Sequence, residues 1–192
     1  MVYPSKIDPQ IITASALSLL RREGEGALTL RRLAKELGVT ANALYKYYDS
    51  LDVLRAAAAD AVAQELYAAI DEGMAALPEG TAPVSRLHRL LEIYSSFAEN
   101  NPDLYRIFLD AKPAAASRLP EPHYHTLMWP QVLAVVEPLV GVEDAPAATV
   151  TLWSLLHGIW ALRQANVLGG KKPEDITDYA YQAVIRGLAT RG

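Results

Sequence analysis

The chain has 192 residues, about half of them apolar, with no cysteine and a formal net charge of −4. That is enough chain to bury a full hydrophobic core, and the missing thiols exclude a disulfide framework and a thiolate metal site. The acidic balance excludes a uniformly phosphate-seeking surface, but it is unevenly spread. Residues 1–50 carry seven Lys/Arg against five Asp/Glu, a local +2, and the remainder carries −6. Such a split suits an N-terminal module that approaches phosphates and a body that does not. In "MVYPSKIDPQIITASALSLL" no basic segment precedes an apolar core, and Thr13, Ser15 and Ser18 interrupt it, so no signal peptide is expected. No apolar run approaches the ~18–20 residues of a membrane span. The expectation is a soluble, cytoplasmic protein without a membrane partner.

Apolar residues recur at three- and four-residue spacing and nothing alternates as strands do, so the fold class is all-α, with about nine helices. Asp8-Pro9 starts the first helix: a capping side chain, then a proline whose missing N–H does no harm. Gly24 and Gly26 end it. Thr29 starts the second helix, which closes at Gly38, and Thr40 starts the third. Asp49 or Ser50 starts a long fourth helix, ended by Pro78 and Gly80. Thr81 and Pro83 open a fifth, with Val84, Leu87, Leu91, Tyr94 and Phe97/Ala98 on one face. "ENNP" breaks it, "DLYRIFLDA" makes a short sixth, and "KPAAASRLPEP" reads as loop. A seventh helix spans roughly 122–140, with a kink or restart at Pro130. "GVEDAP" reads as a turn. An eighth helix runs from about Pro146 to Leu168, "GGKKP" breaks it, and a ninth runs from about Glu174 to Thr190.

The stretch "LTLRRLAKELGVTANALYKYY" has the pattern of a helix-turn-helix. Leu30, Leu33, Ala34 and Leu37 give the first helix an apolar face. Gly38 tolerates the positive φ of a sharp turn. Thr40 caps the second helix, and Ala41 and Ala43 keep its start slender enough for a major groove ~12 Å wide. Tyr48 lies four residues beyond Leu44 and shares its buried face. Tyr45 and Tyr47 fall on other faces, where a phenol packs on the scaffold while its hydroxyl reaches a phosphate oxygen, and Lys46 adds a cation. Asn42 is the candidate base reader, since its amide pairs with adenine in a bidentate way. The same helix–Gly–helix corner also occurs in helical proteins that touch no DNA.

With these residues in view, 8–54 resembles the DNA-binding domain of the TetR family of transcriptional regulators. The likeness is carried by "IITASALSLL", a glycine, "LTLRRLAKELGVT", then "ALYKYY". Farther on, "NPDLYRIF" resembles the family's Asn/His-Pro-x-Leu-Tyr segment. "LWSLLHGIWAL", with Trp153, His157 and Gly158, resembles the Trp-His-Gly class of C-terminal domains. The resemblance implies a DNA-binding domain over 1–50 and a larger helical ligand-sensing and dimerising domain over 51–192. Two positions depart from the family: Asn42 replaces a frequent glycine, and Leu51 replaces the lysine that usually holds a phosphate. Thr29, Arg31, Thr40, Ala41, Asn42, Tyr45, Lys46 and Tyr47 are the expected DNA-contacting set. Arg31 enters it through its place near the positive end of the second helix.

The body supports both implied roles. The ninth helix has Ile176, Tyr179, Ala183, Val184, Gly187 and Leu188 at three- and four-residue spacing. The eighth is apolar over most of its circumference, from Val150, Trp153, His157 and Trp160 to Leu152, Leu155, Leu156 and Ile159. Two such helices per chain would build a two-fold four-helix interface of a homodimer, although burial within one chain gives the same pattern. Tyr67, Tyr94, Phe97, Tyr105, Phe108, Met128, Trp129, Trp153 and His157 are the candidate effector-binding residues. Aromatics at helical spacing also serve as plain core. A cavity so lined suits a small, mostly apolar molecule with a few hydrogen-bonding groups.

The expectation is therefore a ligand-responsive regulator, a repressor that binds a palindromic operator in double-stranded DNA as a homodimer and is released by its effector. No cofactor and no metal are expected. An enzyme would need convergent catalytic groups, and His123-Tyr-His125 is the one close histidine pair, at a spacing wrong for one helix face. A helical binding protein whose N-terminal module has lost DNA contact is the other rival, kept open by Leu51.

Overall fold

The computed structural model describes residues 7–119, 121, 123–170 and 172–189. Among them every regular element is helical. In order these are α1 (Pro9–Glu23), α2 (Leu30–Glu36), α3 (Ala41–Tyr45), α4 (Leu51–Ala75), α5 (Pro83–Asn100), α6 (Pro102–Leu109), α7 (Pro113–Ala116), α8 (Tyr124–Gln164) and α9 (Pro173–Ala189). The chain forms two compact units, one from the described residues of 1–67 and 97–126, the other from those of 68–96 and 127–192.

In the first unit local chemistry sets each early boundary. Asp8 Oδ1 accepts the Ile11 amide at 2.8 Å, and Gly24 ends α1 at φ 77°. Thr29 caps α2 by accepting the Arg32 amide, and Thr40 caps α3 by accepting the Ala43 amide. Gly38, at φ 67°, makes the turn between α2 and α3. Ile12, Leu19, Leu20, Leu33, Leu44 and Leu54 are fully buried and form the core. Arg22 and Arg32 bind Glu36 and Glu23 at 2.5 Å each and lace α1 to α2. The Arg22 hydrogen bond holds the Glu36 carboxyl below its usual range. These pairs are solvent-exposed and add little stability. α6 packs back onto α1 and buries Leu104, Tyr105, Ile107 and Phe108. The segment that follows is tied to the start of α4, with Lys112 on Asp52 at 2.8 Å and Arg118 on Asp49.

Tyr48 closes the corner. Its ring is buried, and its hydroxyl meets Thr13 Oγ1 at 2.9 Å and the Pro9 carbonyl at 3.2 Å. Burial raises its pKa. Removing the hydroxyl by Tyr48→Phe leaves the packing and takes one donor from Thr13 Oγ1 and the Pro9 carbonyl, which keeps its 2.8 Å bond from Thr13, so a loss of about 1 kcal/mol is expected in denaturant unfolding. An unchanged midpoint would show that the hydroxyl contributes nothing.

In the second unit Ile70, Leu87, Leu91, Val136 and Leu152 are buried. α9 buries Thr177, Tyr181 and Ile185, one helical stripe, and Tyr181 hydrogen-bonds Ser95 of α5.

The structure corrects several expectations. Helix continues through Pro130, whose fixed φ is helical and whose ring removes one amide donor. The break falls instead at Gly141, the single non-helical residue of α8, at φ 80°. The residues after it, "VEDAP", are helical rather than a turn: Glu143 and Asp144 favour a helix N-terminal end. "KPAAASRLPEP" holds the one-turn α7. By length and composition α8 also reaches what a membrane span requires, with a mean hydropathy of 1.2 over its most apolar window. No run there is uninterrupted, since Thr149, Thr151, Ser154 and His157 break it up, but these residues are uncharged and lower the average little. The expected limits at residue 122 and Thr190, and Lys171 in "GGKKP", lie outside the described residues.

Candidate nucleic-acid interface and effector residues

α3 is a short helix fastened along one side. Leu44 and Tyr48 hold it to the core, and Thr40 satisfies one of its first amides. The opposite side is open: Asn42 and Lys46 are exposed, and Tyr45 and Tyr47 are 50% and 42% exposed. Ala41 is half-buried at the helix start. Thr29 and Thr40 use an oxygen lone pair for capping, which leaves each hydroxyl proton available to an outside acceptor.

The cations of this module differ in their partners. Arg21, Arg22 and Arg32 are neutralised by Glu65, Glu36 and Glu23. Among the described residues no carboxylate engages Arg31, Lys35 or Lys46, and all three are exposed. Lys35 escaped the sequence reading as a contact residue; its one sequence-level signal is a position three residues before the turn glycine. Tyr47 is placed differently from Tyr45. Its hydroxyl donates to the Ile7 carbonyl at 2.7 Å, so its one proton reaches a phosphate only if that bond breaks. Leu51 is the first residue of α4, and Ser50 caps that helix on the Val53 amide at 3.2 Å.

The nine effector candidates divide between the two units. Tyr67, Phe97, Tyr105 and Phe108 belong to the first, where Tyr67 meets Tyr124 edge-on at 5.7 Å and Tyr105 lies 5.9 Å from Phe108. Tyr94, Met128, Trp129, Trp153 and His157 belong to the second. There the Tyr94 hydroxyl lies 3.2 Å from His157 Nε2, and the Trp129 and Trp153 rings are 5.3 Å apart. Trp153 Nε1 is enclosed without a hydrogen-bond acceptor, a costly state for an indole N–H. Tyr94 and Met128 are almost fully buried.

The last two helices retain apolar surface. Tyr179 is 77% and Val142 73% exposed, Val150 and Leu162 are also exposed, and so is Val167 in the connection between the two helices. Ile176, Val184 and Leu188 are half-buried and Ala183 is exposed. A groove of about 310 Å³ runs between Val140, Ala147, Ala148 and Thr151 of α8 and Val184, Gly187 and Leu188 of α9.

Comparison with known proteins bears on the whole chain. The sequence is 28% identical to an uncharacterized HTH-type transcriptional regulator of Mycobacterium tuberculosis, Rv0681, over 97% of this chain and 82% of that one. Among solved structures it resembles apo ActR of Streptomyces coelicolor, with a TM-score of 0.75, 18% identity and coverage of 97% and 98%. It also resembles BioQ of Mycobacterium smegmatis, with a TM-score of 0.71, 22% identity and coverage of 97% and 100%. ActR has been seen with (S)-DNPA and BioQ with its natural double-stranded DNA operator. At these identities the structures establish the fold alone. The family description "Bacterial regulatory proteins, tetR family" matches residues 12–58, and "Tetracyclin repressor-like, C-terminal domain" matches residues 87–188. With both halves matched and the helix-turn-helix standing where its own chemistry put it, the chain belongs to the TetR family of transcriptional regulators.

Proposed function

We propose that the protein is a repressor that binds a palindromic DNA operator as a homodimer and releases it on binding a small, largely apolar effector. The observation that carries this reading is the open face of α3: Asn42, Tyr45 and Lys46 exposed on a helix anchored from behind, with the neighbouring cations Arg31 and Lys35 unneutralised. Asn42 reads a base edge. Thr29, Arg31, Thr40, Tyr45 and Lys46 hold phosphates, Ala41 keeps the entry narrow, and Tyr47 joins them when its bond to Ile7 opens. Residues 1–50 are the DNA-binding part and 51–192 the sensing and dimerising part. Such a regulator works in the cytoplasm, where its operator is.

The dimer forms through α8 and α9, whose apolar residues one chain leaves exposed. The two α3 helices then face adjacent major grooves, ~34 Å apart or a multiple of that. In the second unit Trp153, Trp129, Tyr94 and His157 form the effector-contacting group, and the Trp153 N–H selects an effector carrying an acceptor. The effector acts by preferring a state in which α4 is displaced and the groove spacing lost, and it shifts the balance only by its differential affinity for the two states. The same reading gives BioQ and ActR, one solved with operator and one with a small molecule, as precedents on this fold.

Salt dependence tests the reading. Affinity for labelled random duplex should fall ~10²-fold or more between low and physiological salt, because phosphate-bound cations release counterions. Binding that is absent at low salt, or indifferent to it, would favour a module that has lost DNA contact.

A further inference from the structure

The cations around α2 fall into two groups, and the division follows the faces of the helix. Leu30, Leu33 and Ala34 mark its buried side. Arg31 and Lys35, four residues apart, share one flank, and Arg32 and Glu36 share the other. The second flank meets the end of α1, where Arg22, Glu36, Arg32 and Glu23 close a ring of alternating charge. Arg22 binds Glu36 at 2.5 Å, Arg32 binds Glu23 at 2.5 Å and Glu36 at 3.1 Å, and Arg22 lies 3.9 Å from Glu23. Two cations and two anions cancel there. On the first flank both cations are exposed, and among the described residues no carboxylate engages either.

Exposed ion pairs stabilise a fold by little, so stability gives the ring no purpose. Its electrostatics do. An arginine fork that already holds a carboxylate has fewer donors for a phosphate and brings no net charge to the counterion atmosphere of DNA. Affinity for arbitrary duplex comes almost wholly from such charge, whereas sequence is read at base edges. We propose that Glu36 and Glu23 are specificity-determining residues, which withhold Arg22 and Arg32 from phosphates and leave Lys35, beside Arg31, as a further phosphate contact. Base contacts from α3 fix one docking pose on the operator. Arbitrary duplex is engaged in any pose that brings charge to phosphate, and two freed arginines would multiply such poses. The inference rests on the proposed docking of α3 on DNA and assigns roles to three residues outside the contacting set.

The test is a salt series of anisotropy titrations on a labelled random-sequence duplex, with the fragment pool that the parent chain selects from genomic DNA as the second probe. Glu36→Gln should raise affinity for the random duplex about 3–10-fold and steepen its salt slope by up to about one unit. Affinity for the selected pool should rise less, so the ratio of the two falls. Adding Arg22→Gln to Glu36→Gln removes the freed cation and should restore the parent values. Lys35→Ala leaves the ring intact and should weaken both probes alike, about 3–10-fold. Glu79→Gln, which adds the same charge in the connection before α5, should change neither. Unchanged binding in Glu36→Gln or in Lys35→Ala would overturn the proposal, as would an equal gain in Glu79→Gln, which marks an effect of net charge alone. A parent chain that binds no duplex at low salt would sink the docking reading and this inference together.

Discussion

Asn42→Ala should lower affinity for the cognate operator by ~1–3 kcal/mol per half-site and lower affinity for random duplex far less. Lys46→Ala should lower both alike and reduce the salt slope by about one unit per site. The contrast follows from placement. Both side chains are exposed on α3, but Asn42 sits in its first turn, the part of a recognition helix that meets base edges. Lys46 sits past its last turn, beside Tyr45 and Tyr47, where the proposed docking brings phosphates. Neither residue contributes to the core, so both variants should keep the parent unfolding midpoint. Anisotropy titrations on the two duplexes across a salt series separate the cases. Equal losses for Asn42→Ala on both would remove it as a base reader.

Ala183→Glu should split the proposed dimer. Ala183 is exposed on α9, away from the buried stripe of Thr177, Tyr181 and Ile185. A glutamate there is harmless to an isolated chain and places two like charges in a desolvated two-fold seam. A cost of several kcal/mol at the interface is expected, enough to move the dimer constant by ~10³-fold or more. Sedimentation should report a folded monomer, and operator affinity should fall toward that of one half-site. A variant that stays dimeric at sub-micromolar concentration would show that the seam lies elsewhere.

The DNA-binding part was legible because each of its boundaries is a local event. Asp8-Pro9, Gly24, Thr29, Gly38 and Thr40 each act on amides or torsions within a few residues, and each does so in the structure. The division of Leu44 and Tyr48 from Tyr45 and Tyr47 followed from helical spacing alone. What failed to show in the sequence was long-range. The packing of α6 onto α1, which carries residues 97–126 into the first unit, depends on contacts some 80 residues apart, for which periodicity has no signal. The bond from Tyr47 to Ile7 is of the same kind. α8 defeated the reading for a different reason: proline marks breaks less faithfully than positive φ does, and Gly141, not Pro130, carries the break. The effector candidates were chosen for being aromatic, which does not distinguish a wall from a core, and the structure divides them between units.

The measurement that bears most directly on the account is selection of bound fragments from sheared genomic DNA by the 192-residue chain. The account predicts enrichment of one palindromic site whose half-sites are centred about one helical turn, or a small multiple, apart. It also predicts that Asn42→Ala blurs the enriched motif while Lys46→Ala leaves the motif and lowers the yield. Recovery of no motif, or of a site without two-fold symmetry, would contradict a dimer reading DNA through the open face of α3.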